Sequence, residues 1–170
     1  ISSSVVETAR KRTFAKPVRI ELYGGERIPA ADREFDLAVL SHVVEHVEAP
    51  RSLLREAARV ARHVFVEVPL ELHARTPDDF KWTDLGHVNL YNPLLIRQLV
   101  QSIGAEVVAE QVTCPCREAM VFGREGLRSE LRYVVMVSLL RIWPGLACKL
   151  WTFHGSLIAR SPAPPAPASA

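Results

Sequence analysis

Apolar positions along this chain recur in two rhythms, and their order predicts an open sheet with helices between its strands. Phe35-Asp36-Leu37-Ala38-Val39-Leu40 is a short, nearly continuous apolar run. That pattern suits a strand buried on both faces of a parallel sheet. His63-Val64-Phe65-Val66-Glu67-Val68-Pro69 reads as a second buried strand, closed by its proline. Val18–Tyr23 alternates apolar with polar residues, as a strand at a sheet edge would. Ala105–Thr113 and Trp151–Ala159 supply two more strands. Elsewhere the period lengthens to that of helices. Ser4-Val5-Val6-Glu7 is a capping box, and the helix it opens fades before Pro17. A helix from Pro50 or Arg51 turns Leu53, Leu54, Ala57, Ala58 and Ala61 inward, with Arg51, Arg55, Arg59 and Arg62 on its wetter faces. Asn92-Pro93 is a strong helix start, Leu95, Ile96, Leu99, Val100 and Ile103 face inward, and Gly104 ends that helix. Helices alternating with apolar strands indicate an α/β domain.

Leu127–Lys149 is apolar and largely helical, broken at Pro144-Gly145. Arg132, Arg141 and Lys149 interrupt it, so it reads as a helical insertion rather than a membrane span, with weak membrane-surface association through 127–149 as the lesser alternative. Leu70 to Leu90 is a long polar connection containing Asp78, Asp79, Lys81, Trp82, Asp84 and His87. Loops of that length are uncommon without a function, so it is a candidate lid or substrate loop. Residues 1–160 form one domain with the insertion at about 115–150, and 161–170 is a flexible tail rich in proline and alanine.

A hydrophobic share of 48% makes the bulk globular, and a net charge of +2 gives no reason to expect a nucleic-acid partner. Three cysteines, Cys114, Cys116 and Cys148, are too few and too oddly spaced for a disulfide framework. With no signal-peptide pattern at the start, they fit a reducing cytoplasm. The chain opens on Ile1 as though cut from something longer.

The candidate chemistry stands at the end of the first buried strand. Ser41, His42, Glu45 and His46 follow Leu40 directly, and α/β sheets bind ligands beyond the carboxyl ends of their strands. His42 to His46 also fits H-x-x-E-H, a pattern that binds zinc from a helix face. That pattern needs one helix through both histidines, whereas here a strand runs up to the first, so no metal is expected. The plain alternative is a set of polar groups that end a strand and cap a turn.

FDLAVLSHVVEHVEAPRSLLREAARVARHVFVEVPLE resembles the middle of class I S-adenosylmethionine-dependent methyltransferases, and more narrowly the small-molecule group with methyltransferase domain 11 or 23. GHVNLYNPLLIRQLVQSIGAEVV is similar to the stretch that follows in that family, and SSSVVETAR to the helix after its second strand. The likeness covers about residues 2–112 and the closing strand. It implies a Rossmann-like sheet of strand order 3-2-1-4-5-7-6 with the seventh strand antiparallel, here lacking strands 1 and 2 and carrying a helical insertion before the last strand. Val18–Tyr23 would be the third strand, Phe35–Leu40 the fourth, Val64–Val68 the fifth, Val107–Val112 the sixth and Trp151–Ala159 the seventh. The family's glycine-rich loop and ribose-binding acid have no counterpart, since the eight glycines include no G-x-G-x-G.

The resemblance implies methyl transfer from S-adenosylmethionine to a small-molecule acceptor, by an incomplete enzyme that is inactive alone. Gly24, Gly25, Glu26 and Arg27 would border the adenine, although Gly24 stands where the family often has an acid. Ser41, His42 and Val43 would lie beside the methionine and sulfonium. Glu45 and His46 would face the acceptor, with His46 the better base because imidazoles titrate near neutrality. His87 and Tyr91 would add acceptor contacts. The alternative is a non-catalytic remnant or interaction module on the same scaffold.

Overall fold

The computed structural model describes residues 3–77, 86–121 and 126–163. Four strands, β1 (Phe35–Ser41), β2 (Ala61–Pro69), β3 (Glu106–Thr113) and β4 (His154–Arg160), form one sheet in the order β1-β2-β4-β3. β1 and β2 run parallel, and β4 is antiparallel to both β2 and β3. The helices are α1 (Ser3–Arg10), α2 (Pro50–Val60), α3 (Pro93–Gln101), α4 (Arg117–Val121), α5 (Leu127–Ile142) and α6 (Pro144–Leu150).

Local chemistry explains most of these boundaries. Pro50 occupies the first turn of α2, where a missing N–H costs nothing. Leu53, Leu54, Ala57, Ala58 and Val60 are buried, and Ala61 passes straight into β2. Asn92 caps α3 through its side-chain oxygen, which accepts from the Leu95 N–H at 2.9 Å. Ile96 and Val100 of α3 join the core, Leu95 stays exposed, and Gly104 takes φ +81° in the turn that follows. α5 and α6 meet at Pro144. No helix among the described residues is long and apolar enough to cross a membrane.

β2 and β4 are the centre of the sheet. Val64, Val66 and Val68 alternate onto one face and pack with Leu54, Ala57, Ile96, Val100, Met136, Phe153 and Leu157. The register sets Ser41 beside Glu67, Glu67 beside Ser156, and Ser156 beside Gln111, one polar row across all four strands.

The structure corrects five expectations. Phe35, Leu37 and Val39 of β1 are 41%, 45% and 59% exposed, so this strand is covered on one face only, where Ala38 and Leu40 meet the core. Val18–Tyr23 forms no strand, and Val18 and Leu22 are exposed. A strand draws its hydrogen bonds from a neighbour, and among the described residues this segment has none to pair with. The closing strand starts at His154 rather than Trp151, because Phe153 turns fully into the core. α1 already contains Ser3, so Ser4 lies inside its first turn rather than at the cap, its carbonyl accepting from the Thr8 hydroxyl at 2.9 Å. Arg59 is not on a wet face. It donates to Glu56, Asp32 and the carbonyls of Ala30 and Ile28, tying residues 28–32 to α2. The hydrogen bond from Arg59, then that from the Ile28 N–H, hold the Glu56 carboxyl below its ordinary value.

Candidate active site

The chain reverses direction at the carboxyl end of β1. His42 sits at φ +52°, a left-handed conformation uncommon outside glycine, and its N–H donates to the Glu67 carbonyl at 3.0 Å. Val44–His46 then form one 3-10 turn before Pro50 opens α2. No helix passes through both His42 and His46, so the H-x-x-E-H spacing does not place them on one helix face. They enter two different clusters, which together hold four of the chain's six histidines.

The first cluster surrounds Glu67. Ser41 Oγ donates to its Oε1 at 3.1 Å and Ser156 Oγ to its Oε2 at 3.0 Å. His42 Nε2 lies 3.6 Å from Oε1, and the His154 ring meets the His42 ring edge-on at 4.9 Å. Burial holds the His154 pKa below the ordinary imidazole value, and the neighbouring His42 lowers it further. His73, hydrogen-bonded to the Thr152 hydroxyl at 3.1 Å, is also lowered by burial.

These two shifts fix a pH dependence. The folded protein holds both imidazoles at lower pKa than the unfolded chain, so the unfolded chain takes up protons first. Stability present above pH 6.5 is therefore lost as pH falls through that value. The melting temperature is expected to drop between about pH 7.5 and about pH 5.5, and less steeply in the His73→Gln, His154→Gln double variant. Equal slopes in the two proteins would remove this assignment.

The second cluster surrounds Glu45. Its side chain is 0% exposed and neither carboxyl oxygen has a hydrogen bond. His42 Nδ1 is 3.2 Å from Oε1 but outside hydrogen-bonding geometry, and His46 Nε2 is at 4.0 Å. The Glu45 carbonyl accepts from the N–H groups of Val88 and Asn89, which pins the segment ahead of α3 here. Asn89 also donates to the Val47 carbonyl at 2.7 Å. His46 Nδ1 lies 2.9 Å from the Gly86 carbonyl, and the His46 and His87 rings meet edge-on at 4.7 Å. Gly86 has φ +70°, and a β-carbon there would sit 3.5 Å from His46 Nδ1. His87 Nδ1 is 2.6 Å from Glu71 Oε2. The buried Tyr91 hydroxyl has no partner; burial, then the Glu45 charge, pushes its pKa up to about 12.

The structure thus brings Glu45, His46, His87 and Tyr91 together, with Ser41, His42 and Val43 beside them. Gly24, Gly25, Glu26 and Arg27 are exposed in the loop ahead of β1. That loop leads into Ile28, whose N–H donates to Glu56 on α2, and no hydrogen bond or ion pair among the described residues joins it to Ser41–Val43. Asp78, Asp79, Lys81, Trp82 and Asp84 lie outside the described residues. Glu67, Glu71, His154 and Ser156 are members that sequence reasoning missed. Only Glu67 carried a signal, as an acid inside an apolar strand. Two triplets have ligand atoms within 4.8 Å of one another, His42–Glu67–His154 and Glu45–His46–His87.

Residues 1–64 match the family model described as a methyltransferase domain. No curated protein gives a significant sequence match. Among solved structures, the chain is similar to one in a Haloferax volcanii complex between the Trm112 methyltransferase activator and a methyltransferase candidate. There the identity is 12% and the TM-score 0.62, over 98% of this chain and 71% of that one. It is similar to the cyclase SpnF at 16% identity and TM-score 0.59, over 94% of this chain. The chain spans 62% of the length of SpnF. It is also similar to phosphoethanolamine N-methyltransferase 2 of Haemonchus contortus, in complex with phosphomonomethylethanolamine and S-adenosylhomocysteine. There the identity is 15% and the TM-score 0.52, over 79% of this chain and 35% of that one.

The fold is the Rossmann-like α/β fold of these neighbours. Its β1-β2-β4-β3 order with β4 antiparallel reproduces the 4-5-7-6 half of the methyltransferase sheet. The Glu67 cluster lies near the carboxyl ends of β1 and β2, and the Glu45 cluster just beyond the end of β1, where α/β sheets bind ligands.

Proposed function

We propose that this chain is the acceptor-facing part of a cytoplasmic methyltransferase that moves a methyl group from S-adenosylmethionine to a small molecule. The observation that carries the reading is a buried carboxyl and a buried phenol, Glu45 and Tyr91, both without hydrogen bonds, at the carboxyl end of β1. Buried polar groups left without partners are costly, and a ligand that hydrogen-bonds them relieves that cost.

S-adenosylmethionine supplies a methyl group made electrophilic by its sulfonium. Ser41, His42 and Val43 would lie along its methionine side, and Gly24, Gly25, Glu26 and Arg27 would border the adenine. No G-x-G-x-G occurs among the 170 residues, so the methionine end needs a glycine-rich segment from elsewhere. The acceptor would sit between Glu45, His46, His87 and Tyr91. A nucleophile held there would take the methyl group that bound S-adenosylmethionine would supply, and its proton would pass to His46 Nε2. His46 suits the role because its Nδ1–H donates to the Gly86 carbonyl, which leaves Nε2 with a lone pair. Holding the nucleophile in line is the larger contribution, since orientation governs a direct displacement.

Calorimetric titration with S-adenosylhomocysteine tests the reading, on this chain and on a longer form with a glycine-rich segment upstream. Binding by the longer form only is the expected result. Micromolar binding by the 170 residues alone would reject the placement of the cofactor contacts. Binding by neither form, with cooperative unfolding, would favour a non-catalytic module. That second reading draws on α5 and its end, where Leu127, Leu131, Ile142 and Trp143 are exposed. It would use that apolar surface for a partner or, more weakly, a membrane surface.

A further inference from the structure

We infer that Glu45, His46 and His87 form a binding site for a divalent transition-metal ion of the zinc class. One ligand atom from each lies within 4.8 Å of the other two. The hydrogen bonds behind them decide the case. His46 Nδ1 faces the Gly86 carbonyl at 2.9 Å, and His87 Nδ1 faces Glu71 Oε2 at 2.6 Å. Each acceptor holds a proton on Nδ1, so both rings present an Nε2 lone pair. A carbonyl or carboxylate behind each imidazole is the arrangement that orients metal-binding histidines and raises their basicity.

The third member is the independent sign of a ligand. Glu45 is fully buried, and both its oxygens lack hydrogen bonds. A carboxyl group in that position is a cost to the fold unless something binds it. Two imidazoles and one carboxylate suit zinc, cobalt or iron(II) and leave coordination positions open to a small molecule. His46 and His87 are 41 positions apart and carry no ligand spacing in the sequence. The site also differs from the H-x-x-E-H pattern, because its second histidine is His87 rather than His42.

The inference is independent of methyl transfer, since ion binding needs no cofactor. It does constrain that reading. The ion and the acceptor's proton compete for the same Nε2 of His46, so His46 is a base only in the ion-free protein.

The test is equilibrium dialysis of the untagged chain against zinc sulfate, with cobalt(II) absorption as a second readout. The expected result is about one equivalent bound, weakened about a hundredfold or more by His87→Ala and about tenfold or more by Glu71→Gln. His154→Ala should leave it unchanged. Circular dichroism checks that each variant folds, and Glu71→Gln, nearly isosteric, decides the matter if His87→Ala does not. Absence of zinc binding overturns the inference. So does binding that ignores both His87→Ala and Glu71→Gln, or that is lost in His154→Ala, which would put the ion at Glu67.

Discussion

His46→Ala is expected to lower methyl-transfer turnover about a hundredfold or more, with the KM for the acceptor changed far less. The assay uses a form that binds S-adenosylhomocysteine in the calorimetric titration, with a chelator so that metal binding does not enter. The expectation follows from three positions. The Gly86 carbonyl fixes the ring and its tautomer, the buried Glu45 carboxyl lies 4.0 Å from Nε2, and His87 closes the other side at 4.7 Å between rings. An alanine there removes the proton acceptor and keeps the backbone of the 3-10 turn. Added imidazole should restore part of the rate. A variant with an unchanged rate would remove His46 from the chemistry. A variant that loses acceptor affinity and turnover together, without rescue by imidazole, would make it a positioning residue.

Phe153→Ala should destabilise the fold by about 3–5 kcal/mol, read as a shift in the urea midpoint at constant slope. Phe153 is 0% exposed and heads the fully buried side chains by volume. Its carbonyl accepts from the Leu70 N–H at 2.8 Å, so it fastens the end of β2 to the start of β4, the two central strands. Small domains are stable by only about 5–15 kcal/mol, which puts this variant near the edge of folding. Phe153→Leu keeps most of the volume and should cost about 1.5 kcal/mol or less. A Phe153→Ala cost below about 1 kcal/mol would show that the core at this point collapses to fill the space.

Much of the fold is legible along the chain because its signals are short-range. Asn92 capping Leu95, Pro93 in the first turn, Gly104 at positive φ and the break at Pro144 each depend on chemistry within a few residues. The buried face of α2 follows from helical spacing alone. The strand order came from resemblance rather than periodicity, and β1-β2-β4-β3 agrees with it. Of the candidate site, Ser41, His42, Glu45 and His46 were visible because they are contiguous at a strand end.

What the linear order could not express is which distant groups meet them. Ser156 and His154 reach Glu67 and His42 only through antiparallel pairing of β4 with β2, a register set across some ninety residues. Gly86 and His87, the latter held by Glu71, reach His46 where Val88 and Asn89 hydrogen-bond the Glu45 carbonyl. The exposure of β1 and the loss of a strand at Val18–Tyr23 have the same origin. A helix closes its hydrogen bonds within itself, so its sequence suffices to announce it. A strand and a multi-segment site take their partners from elsewhere in the chain, and only the folded sheet says which partners those are.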